Sequence, residues 1–359
     1  MAAKSPAEIL ESLEEQEAAH AVARSAYRHR RTVADLRREI RELNATVDAL
    51  EEDVATLEAL RSPPSPPKPM PAVKGAKRAK GAKLPAAFVA LASDWHTCEI
   101  VTERQTGGGN RHDQEIGTER AWRWAKGLVR MCKDEQARAD VRTLVIWLGG
   151  DFLVNDSLHY KSERACYLSP PDEARYVRDL LAQIVTYLRA ELDVPRIVVP
   201  TSWGNHDRTT AKMIPGHAGD YSHMQPVYKD LAAWFARDPS IEFRIAESEW
   251  QVVDIHGYPI LFHHGHTINY KRGAGGPGGP LMRMFPDLKT KYTFRTACIG
   301  HFHQRGMYRS GQAFTNGSLV GENGFSTDLA LAPEPPAQVA FLIDLERLEI
   351  SNYYSIWGE

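Results

Sequence analysis

The sequence predicts an α/β sandwich, in which two packed β-sheets carry helices on their outer faces. From about residue 85 onward, short apolar runs alternate with segments of helical periodicity. Two later strands flank His256-Gly257 and predict a hairpin. The predicted strands are 88–91, 144–148, 197–199, 251–255, 258–262, 297–299 and 338–343, and the predicted helices are 118–133 and 172–192.

Length and composition allow a full hydrophobic core and one additional element. The chain has 359 residues, of which 43% are apolar and 25% charged. It contains no run of about 18 apolar residues, and its first residues are too polar for a signal peptide, so we expect a cytoplasmic protein without a membrane segment. Four cysteines without a CxxC pair predict buried thiols in a reducing compartment.

Residues 1–61 predict a long helix that self-associates as a coiled coil. Ser5-Pro6-Ala7-Glu8 combines an N-cap, a first-turn proline and a capping glutamate. β-Branched residues then alternate with leucine at heptad spacing, which favours a parallel two-stranded coiled coil and a homodimer. A single helix packed on its own catalytic domain is the alternative, and like charges at Asp53 and Glu58 count against the parallel orientation. The heptad positions are Val33, Leu36, Ile40, Leu43, Val47, Leu50, Val54 and Leu57.

Residues 62–84 form a predicted linker between this helix and a catalytic domain at 85–359. The segment is rich in proline and then in lysine, alanine and glycine, which is typical of an extended tether. The segment holds basic residues and no acidic ones, which suits it to follow a phosphate backbone or simply to keep the chain soluble.

Polar side chains with metal-binding atoms follow five predicted strands. Each block holds a carboxylate, an amide or an imidazole, and residues two apart in an extended chain, such as His301 and His303, project to one face. This pattern indicates a shared cation. The blocks are Ser93-Asp94-Trp95-His96, Gly149-Gly150-Asp151, Gly204-Asn205-His206-Asp207, His263-His264-Gly265-His266 and Gly300-His301-Phe302-His303.

The ordered set DxH, GD, GNHD, HG and GHxH over residues 90–304 resembles the calcineurin-like metallophosphoesterases. The resemblance implies a four-layer αββα sandwich that holds two divalent ions, with manganese expected and iron, zinc or nickel left open. His264 is preferred to His263 and His266 because the family's ligand precedes the glycine. The implied ligands are Asp94, His96 and His303 for one ion, Asn205, His264 and His301 for the other, and Asp151 as the bridge.

The resemblance also implies a hydrolytic mechanism in which a hydroxide between the ions attacks phosphorus. His206 is expected to give a proton or hydrogen bond to the leaving oxygen, and Asp207 to orient the His206 ring. The alternative for Asp207 is a loop cap.

The second block reads GDFLVNDS, without the arginine that protein phosphatases carry there, and is more similar to the DNA-repair nuclease branch. We therefore expect a phosphodiesterase or nuclease acting on nucleic acid. The alternatives are a phosphatase or phosphodiesterase for small nucleotides, and a coiled-coil scaffold with a passive metal domain. The candidate substrate contacts are Arg208, Lys212, Lys271 and Arg272, the last two beside a glycine-rich stretch at 273–280 that is typical of a mobile lid.

Overall fold

The computed structural model describes residues 19–20, 22, 37–38, 40–41, 44–48, 83–155, 158, 165–269, 276–324, 326 and 334–358. The described residues between 19 and 48 are helical. Most heptad positions and nearly all of the linker lie outside the described residues, so the coiled coil and the tether stay predictions. No helix in the described part of the chain is both long and apolar enough to cross a membrane.

The first sheet has six strands in the order β11-β10-β1-β2-β3-β4. Strands β1 to β4 run parallel, and β10 and β11 add an antiparallel edge. Its strands are β1 (Leu84–Ala92), β2 (Ala139–Leu148), β3 (Arg196–Pro200), β4 (Ile241–Arg244), β10 (Ala337–Asp344) and β11 (Glu349–Trp357).

The second sheet has five strands in the order β5-β6-β7-β9-β8. Strands β6, β7 and β9 are parallel, whereas β5 and β8 pair antiparallel to their neighbours. Its strands are β5 (Gln251–Ile255), β6 (Tyr258–His263), β7 (Thr296–Ile299), β8 (Gly306–Tyr308) and β9 (Ala313–Thr315). The predicted hairpin is confirmed, since β5 and β6 pair around His256 and Gly257.

Four helices lie among the described residues from 83 to 358. They are α1 (Gln114–Arg138), α2 (Pro170–Glu191), α3 (Met224–Phe235) and α4 (Gly278–Lys291). N-capping side chains explain where α1 and α2 begin, because Asp113 and Ser169 accept hydrogen bonds from first-turn backbone N–H groups. Of the glycine-rich stretch at 273–280, residues 273–275 lie outside the described residues and the last three residues form the first turn of α4, so the expected lid stays a prediction.

Alternating side chains produce four layers. Phe88 and Ala90 of β1 pack in the core beneath α1, α2 and α3, whereas Val89 and Leu91 pack between the two sheets. On the second sheet, Cys298 of β7 faces the first sheet, and its neighbours Ala297 and Ile299 pack with Leu281 and Phe285 of α4. Both sheets are thus buried on two faces, and the predicted αββα sandwich is confirmed.

Candidate metal centre

The five polar blocks lie where strands β1, β2, β3, β6 and β7 end. Since β1 to β3 are parallel neighbours, and so are β6 and β7, their carboxyl ends share an edge in each sheet. Backbone hydrogen bonds join the loops that follow, including Asp94 N to Gly150 O at 3.0 Å and Gly300 N to His264 O at 2.7 Å. The fold therefore gathers the predicted ligands at one end of each sheet.

Asp94, His96 and His303 form the first ligand group, with one donor atom from each within 4.8 Å of the others. The Nε2 atoms of His96 and His303 are 3.3 Å apart, and His303 Nε2 is 3.5 Å from Asp94 Oδ1. His96 Nδ1 lies 3.1 Å from Leu153 O. Donation to this carbonyl places the ring proton on Nδ1 and leaves the His96 Nε2 lone pair for a cation.

Asp151, His264 and His301 form the second group within the same 4.8 Å limit. His264 Nε2 lies 3.0 Å from Asp151 Oδ2 and 3.3 Å from Asn205 Oδ1. The other ring nitrogen of His264 donates to Gly149 O over 2.8 Å, so the ring is fixed by the backbone and Nε2 faces the two oxygens. Asn205 therefore lies where the sequence predicts it, beside His264.

Asp151 connects the two groups. Its carboxylate also lies within 4.8 Å of donor atoms of His96 and His206. The His206 backbone N–H donates to Asp151 Oδ1 over 2.7 Å, which leaves Oδ2 on the side of His264. A carboxylate in this position is suited to bridge two cations.

The backbone at the predicted ligands is unusual. Five of them adopt the left-handed region that favours glycine. Such a conformation costs about 1–3 kcal/mol per residue and persists only where the surrounding structure holds it. Loops strained in this way are typical of functional sites. Their φ angles are 57° for Asp94, 42° for His96, 52° for Asp151, 71° for His301 and 55° for His303.

Electrostatics fit a cation in both groups. Burial, with a further effect of His264, lowers the pKa of His301 to about 3, and burial likewise holds the pKa of His96 well below its usual value. These imidazoles are therefore neutral, the form that binds metals. Burial also opposes charge on His264, but the Asp151 carboxylate outweighs it and raises the His264 pKa to about 10. Without a metal, a proton thus lies on His264 Nε2 between two oxygens, where a cation would replace it.

Imidazole nitrogens together with carboxylate and amide oxygens, without a thiolate, suit divalent manganese, iron or zinc. The seven predicted ligands therefore fit two divalent ions, three to each side and Asp151 between them.

His206 lies against the first group. Its ring packs edge-on against His96 with centroids 4.6 Å apart, and its Nδ1 donates to Val154 O over 2.8 Å. The predicted role of Asp207 in orienting this ring is wrong. Asp207 Oδ2 instead accepts hydrogen bonds from Gly204 N at 2.7 Å and Asp151 N at 3.4 Å, so the carboxylate caps the loop. The Val154 carbonyl is what orients His206.

The predicted substrate contacts are only partly described. The Arg208 guanidinium donates to Thr210 O over 3.1 Å and to Asn205 O, which ties it to the loop that carries Asn205. Burial lowers its pKa, and the nearby Asp151 carboxylate opposes that change. Lys212 is exposed on the same loop. Lys271 and Arg272 lie outside the described residues.

A buried hydrogen-bond chain behind Asp94 was not predicted from the sequence. Asn316 Nδ2 donates to Ser93 Oγ over 2.9 Å, and Ser93 Oγ donates to Asp94 Oδ2 over 2.5 Å. The His301 backbone N–H also donates to the Asp94 carboxylate over 2.9 Å. Ser93 is adjacent to a predicted ligand, but nothing in the sequence marks Asn316.

Asn155 is a second unpredicted positioning residue. Its buried amide donates to His206 O over 2.8 Å and to Arg208 O over 2.7 Å, and its backbone is left-handed with φ of 52°. It therefore fixes the backbone of the GNHD loop. Its place four residues after Asp151 is the signal that sequence reasoning could have used.

The four layers and the two ligand groups define an α/β sandwich with a candidate two-metal centre at its strand ends. The chain belongs to the calcineurin-like phosphoesterase family, whose model matches residues 89–305. Curated proteins give no match.

Solved structures similar to this chain include phosphoesterases at low identity. A novel archaeal phosphodiesterase is 12% identical, with a TM-score of 0.31, and the match covers 75% of this chain and 99% of that one. Yfce, a phosphoesterase from E. coli, is 13% identical with a TM-score of 0.30 and the same coverage. A hypothetical protein of Pyrococcus horikoshii OT3 is 14% identical with a TM-score of 0.37, and the match covers 76% of this chain and 89% of that one.

Proposed function

We propose that the protein is a phosphodiesterase acting on nucleic acid, a nuclease, and that it works with two divalent ions, manganese being the expected metal. The observation that carries the proposal is the pairing of two ligand groups through the buried Asp151 carboxylate. Family membership supports phosphoester chemistry.

Each ion has its own ligand set in this proposal. Asp94, His96 and His303 would hold one, Asn205, His264 and His301 would hold the other, and Asp151 would contribute to both. When bound, the ions supply positive charge that polarises a phosphate oxygen and favours ionisation of water. The protein supplies rigid positions, because the His96 and His264 rings are fixed by the backbone carbonyls of Leu153 and Gly149.

His206 is the proposed proton donor to the leaving oxygen. The Val154 carbonyl holds its Nδ1–H, so a transferred proton would come from Nε2 of the imidazolium form. Burial lowers the His206 pKa and the Asp151 carboxylate opposes that change, so Asp151 favours the protonated ring. Its ring borders His96 and its backbone N–H holds Asp151, so a substrate that reaches the ligand groups also reaches His206. Proton transfer to a leaving alkoxide is typically worth 10²- to 10⁴-fold in rate.

A diester substrate fits the residues after Asp151. Phe152, Leu153 and Val154 are buried and apolar, and no arginine follows Asp151 among residues 152–155. A diester phosphate carries one negative charge and a monoester carries close to two, so the diester depends less on an added arginine. Arg208, held beside Asn205, is the proposed contact for the single charge.

The nucleic-acid substrate and the assembly are argued from the sequence. The basic residues between 68 and 83 suit a phosphate backbone, and the heptads in residues 1–61 favour a homodimer that presents two sites. Lys212, Lys271 and Arg272 are proposed additional contacts along the strand.

A substrate panel with added manganese tests the proposal. Single-stranded DNA, duplex DNA, RNA, cyclic nucleotides and matched nitrophenyl mono- and diesters are compared, with Asp151→Asn as the control. We expect cleavage of nucleic acid, faster turnover of the diester than of the monoester, and a loss on the order of 10³-fold in the variant. Faster monoester turnover or activity confined to small nucleotides would favour the small-nucleotide enzyme. Full cellular function of Asp151→Asn would favour the scaffold.

A further inference from the structure

A third group of metal-binding side chains lies beside the two-ion centre. Glu249, His263 and His266, named here the third cluster, each place one donor atom within 4.8 Å of the others. His266 Nε2 lies 3.5 Å from Glu249 Oε2, and His263 Nε2 lies 3.9 Å from the same oxygen. None of the three is among the seven predicted ligands. The ring centroids of His266 and His264 are 5.7 Å apart, so the third cluster adjoins the second ligand group.

Local structure holds the third cluster in place. His263 is the last residue of β6, and Gly265 turns the chain with φ of 122° before His266. Trp250 stacks on the His263 ring with centroids 3.8 Å apart and planes inclined by 16°. Ser248 Oγ donates to Trp250 O over 2.8 Å and closes the turn that carries Glu249. The three side chains are therefore anchored by a strand, a stacked ring and a closed turn.

Hydrogen bonds between Glu249 and the two imidazoles do not account for this convergence. The separations of Glu249 from both imidazoles exceed the 2.7–3.2 Å of a normal N–H···O bond. The Nδ1 atoms of His263 and His266 are buried and have no hydrogen-bond partner among the described residues. Thr267 Oγ1, 3.1 Å from His263 Nε2, belongs to an exposed residue whose hydroxyl can rotate away. The 3.5 Å between His266 and Glu249 equals that between His303 and Asp94 in the first ligand group.

We propose that Glu249, His263 and His266 form a third divalent-cation site, with zinc as the cation that its ligand set suits. Two imidazoles and one carboxylate are a common protein ligand set for zinc with one coordination position left open. Bonds of about 2.0–2.1 Å in a tetrahedron separate the ligand atoms by roughly 3.3 Å, so the side chains need only small shifts. The open position accepts water or an anionic oxygen, which places a further positive charge next to the two-ion centre. The site uses none of the residues on which the proposed nuclease activity depends.

Metal content of the full chain tests the third site. The protein is stripped with a chelator, loaded with zinc, dialysed, and analysed for zinc per chain by mass spectrometry. Wild type is expected to retain about three ions. Glu249→Gln and His266→Gln should each retain about one fewer, whereas Glu247→Gln, which changes an exposed carboxyl two residues away, should match wild type.

The same comparison in an Asp151→Asn background separates the third site from the two-ion centre. Glu249→Gln should again remove about one zinc ion per chain, whatever the disturbed centre retains. Circular dichroism of each variant shows whether the fold is intact, and Glu249→Gln is isosteric and partly exposed. Equal zinc content in wild type and in both folded variants would overturn the proposal, as would a wild-type content of two with no dependence on Glu249. Neither result would affect the nuclease proposal, which is tested by cleavage.

Discussion

The Nε2 atoms of His96 and His303 lie 3.3 Å apart, although the residues are 207 positions apart in the sequence. Two imidazole nitrogens at this distance are typical ligands of one ion. Metal binding should therefore stabilise the folded domain. Because a ligand at about 100 times its Kd adds about 2.7 kcal/mol, we expect manganese to raise Tm by several degrees over chelator-treated protein in a thermal scan.

His303→Ala removes one of the two facing nitrogens and serves as the comparison for that scan. Its chelator-treated form should unfold near the wild-type temperature, because His303 is only partly buried. Its response to manganese should be markedly smaller. A manganese response in His303→Ala as large as in wild type would remove His303 from the ligand set.

Ser93→Ala should weaken metal binding without removing a ligand. Ser93 Oγ donates to Asp94 Oδ2 over 2.5 Å and is itself held by Asn316, so the serine fixes the carboxylate orientation. Loss of such a contact typically costs about 10- to 100-fold in metal affinity. Calorimetric titration with manganese measures the change. Ser351→Ala, whose hydroxyl donates to Leu342 O over 3.3 Å, is the control and should bind as wild type does. An unchanged Kd in Ser93→Ala would show that Asp94 is held without it.

Gly204→Ala should disrupt the metal centre by steric overlap. A Cβ at Gly204 would overlap the carboxylate and the backbone nitrogen of Asp151. Displacement of a catalytic group by about 1 Å commonly costs on the order of 100-fold in rate, so a similar loss of kcat/KM is expected. Gly324→Ala is the matched control, because its Cβ would meet no atom within 4 Å. Near-wild-type diester turnover in Gly204→Ala would mean that Asp151 does not need its present position.

The ligands could be predicted from the sequence because each one depends on a local pattern. A short apolar run predicts a strand, the polar residue after it lies at the strand end, and the i, i+2 spacing of His301 and His303 sets them on one face. The pairing of His96 with His303 and of His264 with His301 came from the resemblance to the family, and the structure places the members of each pair together.

Residues that act through long-range contacts could not be found in this way. Asn316 and Glu249 come close to the ligand groups only after the sheets assemble, because they lie in loops that carry none of the five blocks. Asn316 contacts Ser93, and Glu249 lies beside His266. The role of Asp207 was misassigned because backbone N–H groups of its own turn compete with His206 for the carboxylate. Residue spacing alone does not show which donor binds the Asp207 carboxylate.

Acid should destabilise the metal-free protein partly through His112. Burial, and then the adjacent Arg120 guanidinium, lower the His112 pKa from 6.5 to about 3. The neutral ring accepts from Arg120 over 3.1 Å and donates to His96 O over 3.3 Å. Below pH 6.5 the unfolded chain binds a proton at His112 that the folded protein does not bind. The contribution of neutral His112 to the unfolding free energy is therefore complete above pH 6.5 and is lost as pH falls toward 3.

Urea unfolding at pH 6.5 and pH 5 measures the contribution of His112. One such proton should remove about 1–2 kcal/mol of unfolding free energy over this interval. His112→Gln offers a donor and an acceptor but does not titrate, so its unfolding free energy should fall less steeply with acid. Parallel pH dependences for wild type and His112→Gln would contradict the assignment. Chelator is present throughout so that metal loss does not add to the change.

His206→Asn should slow hydrolysis in a way that depends on the leaving group. If His206 Nε2 protonates the leaving oxygen, an alkoxide that leaves poorly should lose about 10²- to 10⁴-fold in kcat, while a nitrophenolate, which needs no proton, should lose much less. The measurement is kcat for a dinucleotide and for a nitrophenyl diester in both proteins, with metal content determined alongside. His217→Asn changes an exposed histidine that pairs with Asp220 at 3.0 Å, and both substrates should react as with wild type. An equal loss on both substrates at full metal content would instead make His206 a contact for the phosphate, since a hydrogen bond to the phosphoryl oxygens is insensitive to the leaving group.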